Sequence, residues 1–237
     1  YTGAGVVVAV VDSGLEIAHE DLVDNVVAGS RDVKNNDDDP TPSSNNGDHG
    51  TSVAGIIAAR GWNDIGLRGA APKASLKGYN FLVNQSDVAF IQIFGGEIYS
   101  ADVDIFNNSW GYSPTQINQS LRPREETVFN TTLPAMRSGK GAIFVKSAGN
   151  GFNANSNAFC GMANGNGLTC EDANQDTTHN NPNLIVVSAL GAAGELSSYS
   201  SIGSVVWVSA PGGEFGSDSA GGKPAIMSTD LQTCSRG

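Results

Sequence analysis

Val6-Val7-Val8-Ala9-Val10-Val11-Asp12-Ser13-Gly14 is the stretch that decides the fold. An unbroken apolar run is what a strand needs when both faces of a parallel sheet are covered. The aspartate and glycine that end it put a carboxylate at the strand's C-terminal edge. Downstream, His49-Gly50-Thr51-Ser52-Val53-Ala54-Gly55-Ile56-Ile57-Ala58-Ala59 opens an apolar helix on a histidine. A carboxylate and an imidazole, each at the edge of an α/β element, are two parts of a charge-relay triad. A strand-end aspartate that only capped a turn would leave His49 unexplained.

The composition narrows the function classes. A chain of 237 residues supports one large domain with a sizeable core. A net charge of -11 argues against nucleic acid or an anionic membrane as partner. The charged fraction is only 16%, and Gly, Asn and Ser are abundant, which describes a loop-rich globule and not a disordered chain. No apolar run is long enough to span a membrane. The opening at Tyr1 without Met predicts a processed terminus of a secreted protein. Cys160 and Cys170 flank a Gly- and Asn-rich loop that a disulfide could close. Cys234 then lacks a partner, and three reduced thiols are the competing reading.

Strand and helix signals alternate along the chain. Strands are predicted at Val6–Val11, Ala74–Phe81, Asp102–Asn107, Ala142–Lys146, Leu184–Ala189 and Val205–Ser209, and helices at Ser52–Ala59 and Pro123–Ser138. Residues 30–48 read as a surface loop of turn formers and charges. This order predicts an α/β fold with a doubly wound, mostly parallel sheet and helices on both faces. Ligands of such folds bind beyond the strands' C-terminal ends, where Asp12, Ser109-Trp110-Gly111 and Asn150 all fall.

The ordered set of motifs resembles the subtilisin-like serine proteases. It comprises Val10-Val11-Asp12-Ser13-Gly14, His49-Gly50-Thr51-Ser52-Val53-Ala54-Gly55, Asn108-Ser109-Trp110-Gly111 and Ser147-Ala148-Gly149-Asn150-Gly151. Ser197-Ser198-Tyr199-Ser200 and Met227-Ser228-Thr229-Asp230-Leu231-Gln232-Thr233-Cys234 extend it over nearly the whole chain. The Ser-Trp-Gly and Ser-Thr-Asp-Leu pieces favour the kexin/furin branch, with a further likeness to the kexin-like extracellular proteases of Aeromonas.

The resemblance implies roles residue by residue. Asp12 would orient His49 and stabilise its protonated form, and Asn150 would donate to the oxyanion. Ser109, Trp110 and Gly111, with Ser147, Ala148 and Gly149, would flank an extended polypeptide substrate. Trp110 could equally be an ordinary core aromatic. A pocket carboxylate at Asp172 or Glu171 would favour cleavage after basic residues, although Pro114 stands where furin carries an acid. A solvated acidic loop is the alternative. Calcium would be held by Asp21, the Asn63 side chain and the carbonyls of Arg60, Ile65 and Leu67. The run Asp37-Asp38-Asp39 reads better as a solvated loop than as a second site. A pro-segment or chaperone, and a C-terminal β-rich domain, are the partners that the resemblance implies.

The family's nucleophile motif, Gly-Thr-Ser followed by a small residue, Ala and Pro, does not occur in residues 1–237. Gly50-Thr51-Ser52 belongs to the histidine motif, on the same helix as His49. Residues 1–237 therefore read as most of a catalytic domain, with the serine expected beyond Gly237. A non-catalytic, peptide-binding relative is the alternative. A small-molecule α/β hydrolase is disfavoured, because no Gly-x-Ser-x-Gly elbow sits between a strand and a helix.

Overall fold

The computed structural model describes residues 1–43, 47–111, 120–152, 162, 165–166, 171–216 and 223–232. Six strands form a parallel sheet in the order β2-β1-β3-β4-β5-β6: β1 Val7–Val11, β2 Ser75–Tyr79, β3 Ile105–Asn108, β4 Ile143–Ser147, β5 Leu184–Leu190 and β6 Val206–Pro211. Helix α1 spans His49–Ala58, α2 Asp87–Ile91, α3 Pro123–Thr127 and α4 Leu133–Gly139. The α/β expectation holds, with strand limits shifted by a few residues.

The chain divides into two compact units. Tyr1–Ser109, Pro123–Phe144 and Ser228–Gly237 make the first; Trp110–Arg122 and Val145–Met227 make the second.

In the first unit β1 pairs in parallel with both β2 and β3. Successive side chains of a strand point to opposite faces, so β1 must be apolar throughout to be covered twice. Val8 and Val10 face one way and join Ala54 and Ala58 of α1, with Leu15, Leu22 and Leu76. Ala9 lies opposite Phe106 in the β1–β3 register. Phe106 belongs to an aromatic cluster with Phe81, Phe90, Phe94, Phe129 and Phe144, all fully buried. Ring centroids within it are 4.7–6.4 Å apart, the spacing of tilted and edge-to-face packing.

The helix predicted at Ser52–Ala59 begins earlier, at His49. The motif itself opens on His49; the bounds Ser52–Ala59 omit that first turn because the periodic apolar signal starts only after it. The single helix predicted over Pro123–Ser138 is α3, a wide π-type turn over Val128–Thr132, and α4. Its last residues, Arg137 and Ser138, are left-handed at φ 53° and 60° and reverse the chain ahead of β4. Arg137 is anchored there, Nε to Asp104 Oδ1 at 2.9 Å and Nη1 donating to Gly141 O at 3.0 Å.

In the second unit β5 and β6 pair in parallel, and Ala148, Ala173 and Val186 pack with Val205 and Val206. Two short 3-10 turns, Ala173–Gln175 and Thr177–Asn180, precede β5.

Candidate active site

Asp12 follows β1 directly. Its N–H donates to Tyr79 O at 2.9 Å and its carbonyl accepts from Leu82 N at 3.1 Å, so the backbone is fixed on both sides. The carboxylate is fully buried. Its Oδ1 accepts from Ser13 N at 2.6 Å and lies 2.8 Å from His49 Nδ1. An acceptor at Nδ1 keeps the proton there and leaves Nε2 as the basic nitrogen.

His49 reaches Asp12 because of the residue after it. A Cβ on Gly50 would stand 2.0 Å from Gly14 O and 3.0 Å from Asp12 Cβ, so only glycine lets the first turn of α1 press onto the end of β1. Ser13 Oγ accepts from Gly50 N at 3.2 Å and donates to Gly47 O at 2.8 Å, tying the helix start to the strand end. The same logic recurs at Gly55, where a Cβ would meet Thr229 Oγ1 at 2.3 Å. There Thr229 Oγ1 donates to Thr51 O at 2.7 Å, and Ser228 Oγ donates to Ser52 O. The Ser228-Thr229 motif is thus a strap across α1.

The His49 side chain is 56% exposed. Its hydrogen bond to Asp12 raises its pKa above the ordinary 6.5, against a smaller lowering by burial and with help from the Asp12 and Asp48 charges. A half-exposed imidazole held by a buried carboxylate can accept a proton at Nε2 and keep the resulting charge stabilised.

In the second unit, the chain after β4 turns sharply at Gly149, φ 108°. Ala148 N donates to Val187 O at 2.8 Å, Gly149 O accepts from Ser201 N at 2.9 Å, and Gly151 N donates to Ser201 Oγ at 3.2 Å. Phe152 N donates to Tyr199 O at 3.2 Å. The Ser197–Ser200 motif and Ser201 after it therefore buttress the Ser147–Gly151 turn. They leave the Asn150 side chain exposed, with Ser147 and Gly149 half-buried and Ala148 buried.

Ser109 Oγ accepts from Asn107 Nδ2 at 3.0 Å. Trp110 is half-buried and Gly111 exposed. Asp172 uses Oδ1 to accept from Asn174 N at 2.7 Å and so caps the 3-10 turn that follows. Its neighbour Glu171 lies against Gly151, where an added Cβ would overlap its carboxylate, and burial pushes the Glu171 pKa up. Pro114 and the three cysteines lie outside the described residues, as does the proposed Cys160–Cys170 bridge.

Asp21 is 1% exposed. Its Oδ1 accepts from Asn63 Nδ2 at 3.1 Å and its Oδ2 from Leu67 N at 2.9 Å, while its carbonyl accepts from Arg60 N at 2.8 Å. The loop closes on Asp21 through left-handed residues at Trp62, Asp64 and Gly66. A Cβ on Gly66 would stand 2.4 Å from Asp21 Oδ2. Among the described residues no group of three His, Cys, Asp or Glu side chains is assembled. The partners of the Asp21 carboxylate are N–H donors, the Asn63 amide and the Leu67 main chain. The oxygens of Asp21 and of the Asn63 amide are of the kind a hard cation takes.

Sequence reasoning missed a buried histidine, His179. His179 is 5% exposed beside Asp176 and Lys146, which is also buried. A lysine inside Ala142-Ile143-Phe144-Val145-Lys146 was the available signal, because a cation in a buried strand requires a carboxylate.

The subtilase family profile matches residues 3–236. This chain belongs to the subtilase family. It is 44% identical over 245 residues to the Aeromonas extracellular serine protease of Aeromonas sobria, covering 99% of this chain and 38% of that protein. Kexin of Saccharomyces cerevisiae is 37% identical over 155 residues, covering 63% of this chain and 19% of kexin. The crystal structure of the Aeromonas sobria serine protease in complex with the chaperone ORF2 superposes with a TM-score of 0.85 at 40% identity. That match covers 97% of this chain and 38% of that one. The subtilase family resemblance is thereby established, with both the Aeromonas and the kexin likeness, and the family is one of serine protease hydrolases.

Proposed function

We propose that these residues belong to a serine endopeptidase in which Asp12 and His49 are the acid and base of the triad. The single observation that carries the reading is the 2.8 Å contact between His49 Nδ1 and the fully buried Asp12 carboxylate. His49 Nε2 takes the proton of an attacking serine hydroxyl and returns it to the leaving amine. Asp12 holds the tautomer and stabilises the imidazolium without itself being protonated. Asn150, exposed after β4, is the oxyanion donor.

An extended polypeptide binds along Ser109-Trp110-Gly111 and Ser147-Ala148-Gly149. Glu171 or Asp172 supplies the negative charge for a basic side chain, Glu171 being the one whose carboxylate borders the Asn150-Gly151 turn. Calcium is held by Asp21, Asn63 and the carbonyls of Arg60, Ile65 and Leu67, where it would pin the loop that follows α1. Secretion is inferred from the likeness to the Aeromonas extracellular protease. A chaperone partner is inferred from the Aeromonas complex. The domain organisation proposed with this reading is the one expected from the sequence: residues 1–237 within a catalytic domain whose nucleophile, and a β-rich domain, would lie beyond them.

Labelling of the full-length protein with a fluorophosphonate, followed by intact mass, tests the reading. One adduct, with cleavage of peptides at arginine or lysine, is the expected result. A full-length protein that folds, binds peptide and takes no adduct would instead make it a non-catalytic peptide binder.

A further inference from the structure

Lys146 is the fourth residue of β4 and its side chain is 2% exposed. Its ammonium lies 3.1 Å from Asp176 Oδ2 and donates to Trp110 O at 2.7 Å, while standing 5.2 Å from the Trp110 ring centroid. Asp176 is itself fixed, since its Oδ1 accepts from Thr178 N at 3.0 Å and from Thr178 Oγ1 at 2.6 Å. Its Oδ2 is 3.6 Å from His179 Nε2, and His179 Nδ1 is 2.7 Å from Ala173 O. Gly111 lies over the ion pair: a Cβ there would be 3.6 Å from Lys146 Nζ and 3.8 Å from Asp176 Oδ2.

A strand residue facing a core is ordinarily apolar, and burying an ion pair in place of apolar side chains rarely adds stability. What the pair supplies is direction. An ammonium has three donors, and here one of them reaches a main-chain carbonyl that no apolar side chain could hold. We propose that Lys146, backed by Asp176, is a positioning residue for substrate binding, tying the Trp110 carbonyl inward so that the Gly111 main chain is presented to an extended peptide. In an extended backbone successive residues point their N–H and C=O groups to opposite edges. If the segment continues β3 in extended form, holding the Trp110 carbonyl toward Lys146 presents the Gly111 main chain at the opposite edge, where an incoming strand can pair with it. The cation-π contact sets the Trp110 ring in the same place.

The inference rests on the reading that the Ser109–Gly111 segment binds substrate. The test compares Lys146→Met, and the double variant Lys146→Met/Asp176→Asn, with wild type in the full-length protein. Two readouts are taken: hydrolysis of an internally quenched octapeptide with a central arginine, and the rate of labelling by a small fluorophosphonate. KM for the octapeptide should rise about tenfold, the order expected for loss of one or two oriented hydrogen bonds, while kcat and labelling stay within about twofold. The double variant keeps the inference falsifiable if the single one, with Asp176 left charged in the interior, fails to fold. Folded variants with wild-type KM overturn the inference, as does an equal loss of labelling and peptide cleavage, which would mark a merely structural role. A wild type that neither labels nor cleaves overturns the protease reading and this inference with it.

Discussion

Asp12–His49 and Asp176–His179 are the same pair of residue types in opposite employment. In the first unit the imidazole is half exposed, bonded to the carboxylate at 2.8 Å, and its pKa is raised. In the second the imidazole is buried 3.6 Å from the carboxylate. Burial and then the Lys146 charge lower its pKa, and Asp176 offsets them only in part. Asp176 is pushed up by burial, but Lys146, His179 and the bonds from Thr178 outweigh that and hold it below the usual carboxylate range. Where no cation claims the carboxylate and solvent is near, the carboxylate tunes a base. Where a buried ammonium already claims the carboxylate, the histidine stays neutral and the cluster is a strut.

The largest way to break this contrast is Asp12→Asn. The amide keeps the shape but favours the wrong tautomer of His49, and peptide turnover should fall by about ten-thousandfold, the loss typical of triad aspartates, with Tm little changed. A loss below about tenfold in kcat would remove His49 from the base role. Asp176→Asn should act the other way round. Leaving Lys146 without that charge should destabilise the fold by about 3–5 kcal/mol, read as a lower denaturant midpoint, with labelling by a small fluorophosphonate retained in the folded fraction.

Next in size is Asn150→Ala, expected to lower kcat by about a hundredfold or more with KM nearly constant. An unchanged kcat would mean that the exposed amide serves only the turn.

The smallest effects are in pH, where the two histidine pKa values are displaced in opposite directions. A base must be neutral, so kcat/KM should fall as the pH drops through the His49 pKa, with its midpoint above 6.5. A midpoint below 6.5 would contradict the hydrogen bond as the dominant influence. His179 has a folded pKa below its unfolded one. Neutral His179 thus contributes stability above about pH 6.5, lost as the pH falls through the folded value. The stability difference between wild type and His179→Gln should shrink over that window, and a constant difference would show that His179 does not titrate there.

The second unit was less legible than the first. The β1 strand and the histidine helix announce themselves because burial on two faces demands an unbroken apolar run, and because Gly50 and Gly55 flag close approaches that no other residue permits. Asp12 and His49 could be named for the same reason: strand ends and helix starts are local events. The Asp21 loop was visible through its Asn-Asp-Ile-Gly turn. Asp172, singled out for its charge, has its Oδ1 occupied as a turn cap, while Glu171 borders the Gly151 turn, a distinction of one residue that charge alone does not reveal.

By itself, then, the sequence determined the strand order of chemistry along the chain: apolar runs, the breaks after them, and polar residues at those breaks. Only the tertiary structure decided which polar groups meet. The Lys146–Asp176 pair joins residues thirty positions apart by number, and the strap at Ser228-Thr229 reaches α1 from the far end of the chain. Hydrophobic periodicity is written within one element, whereas hydrogen bonds and desolvated charges depend on where separate elements come together. That is why the first could be read along the chain and the second only in three dimensions.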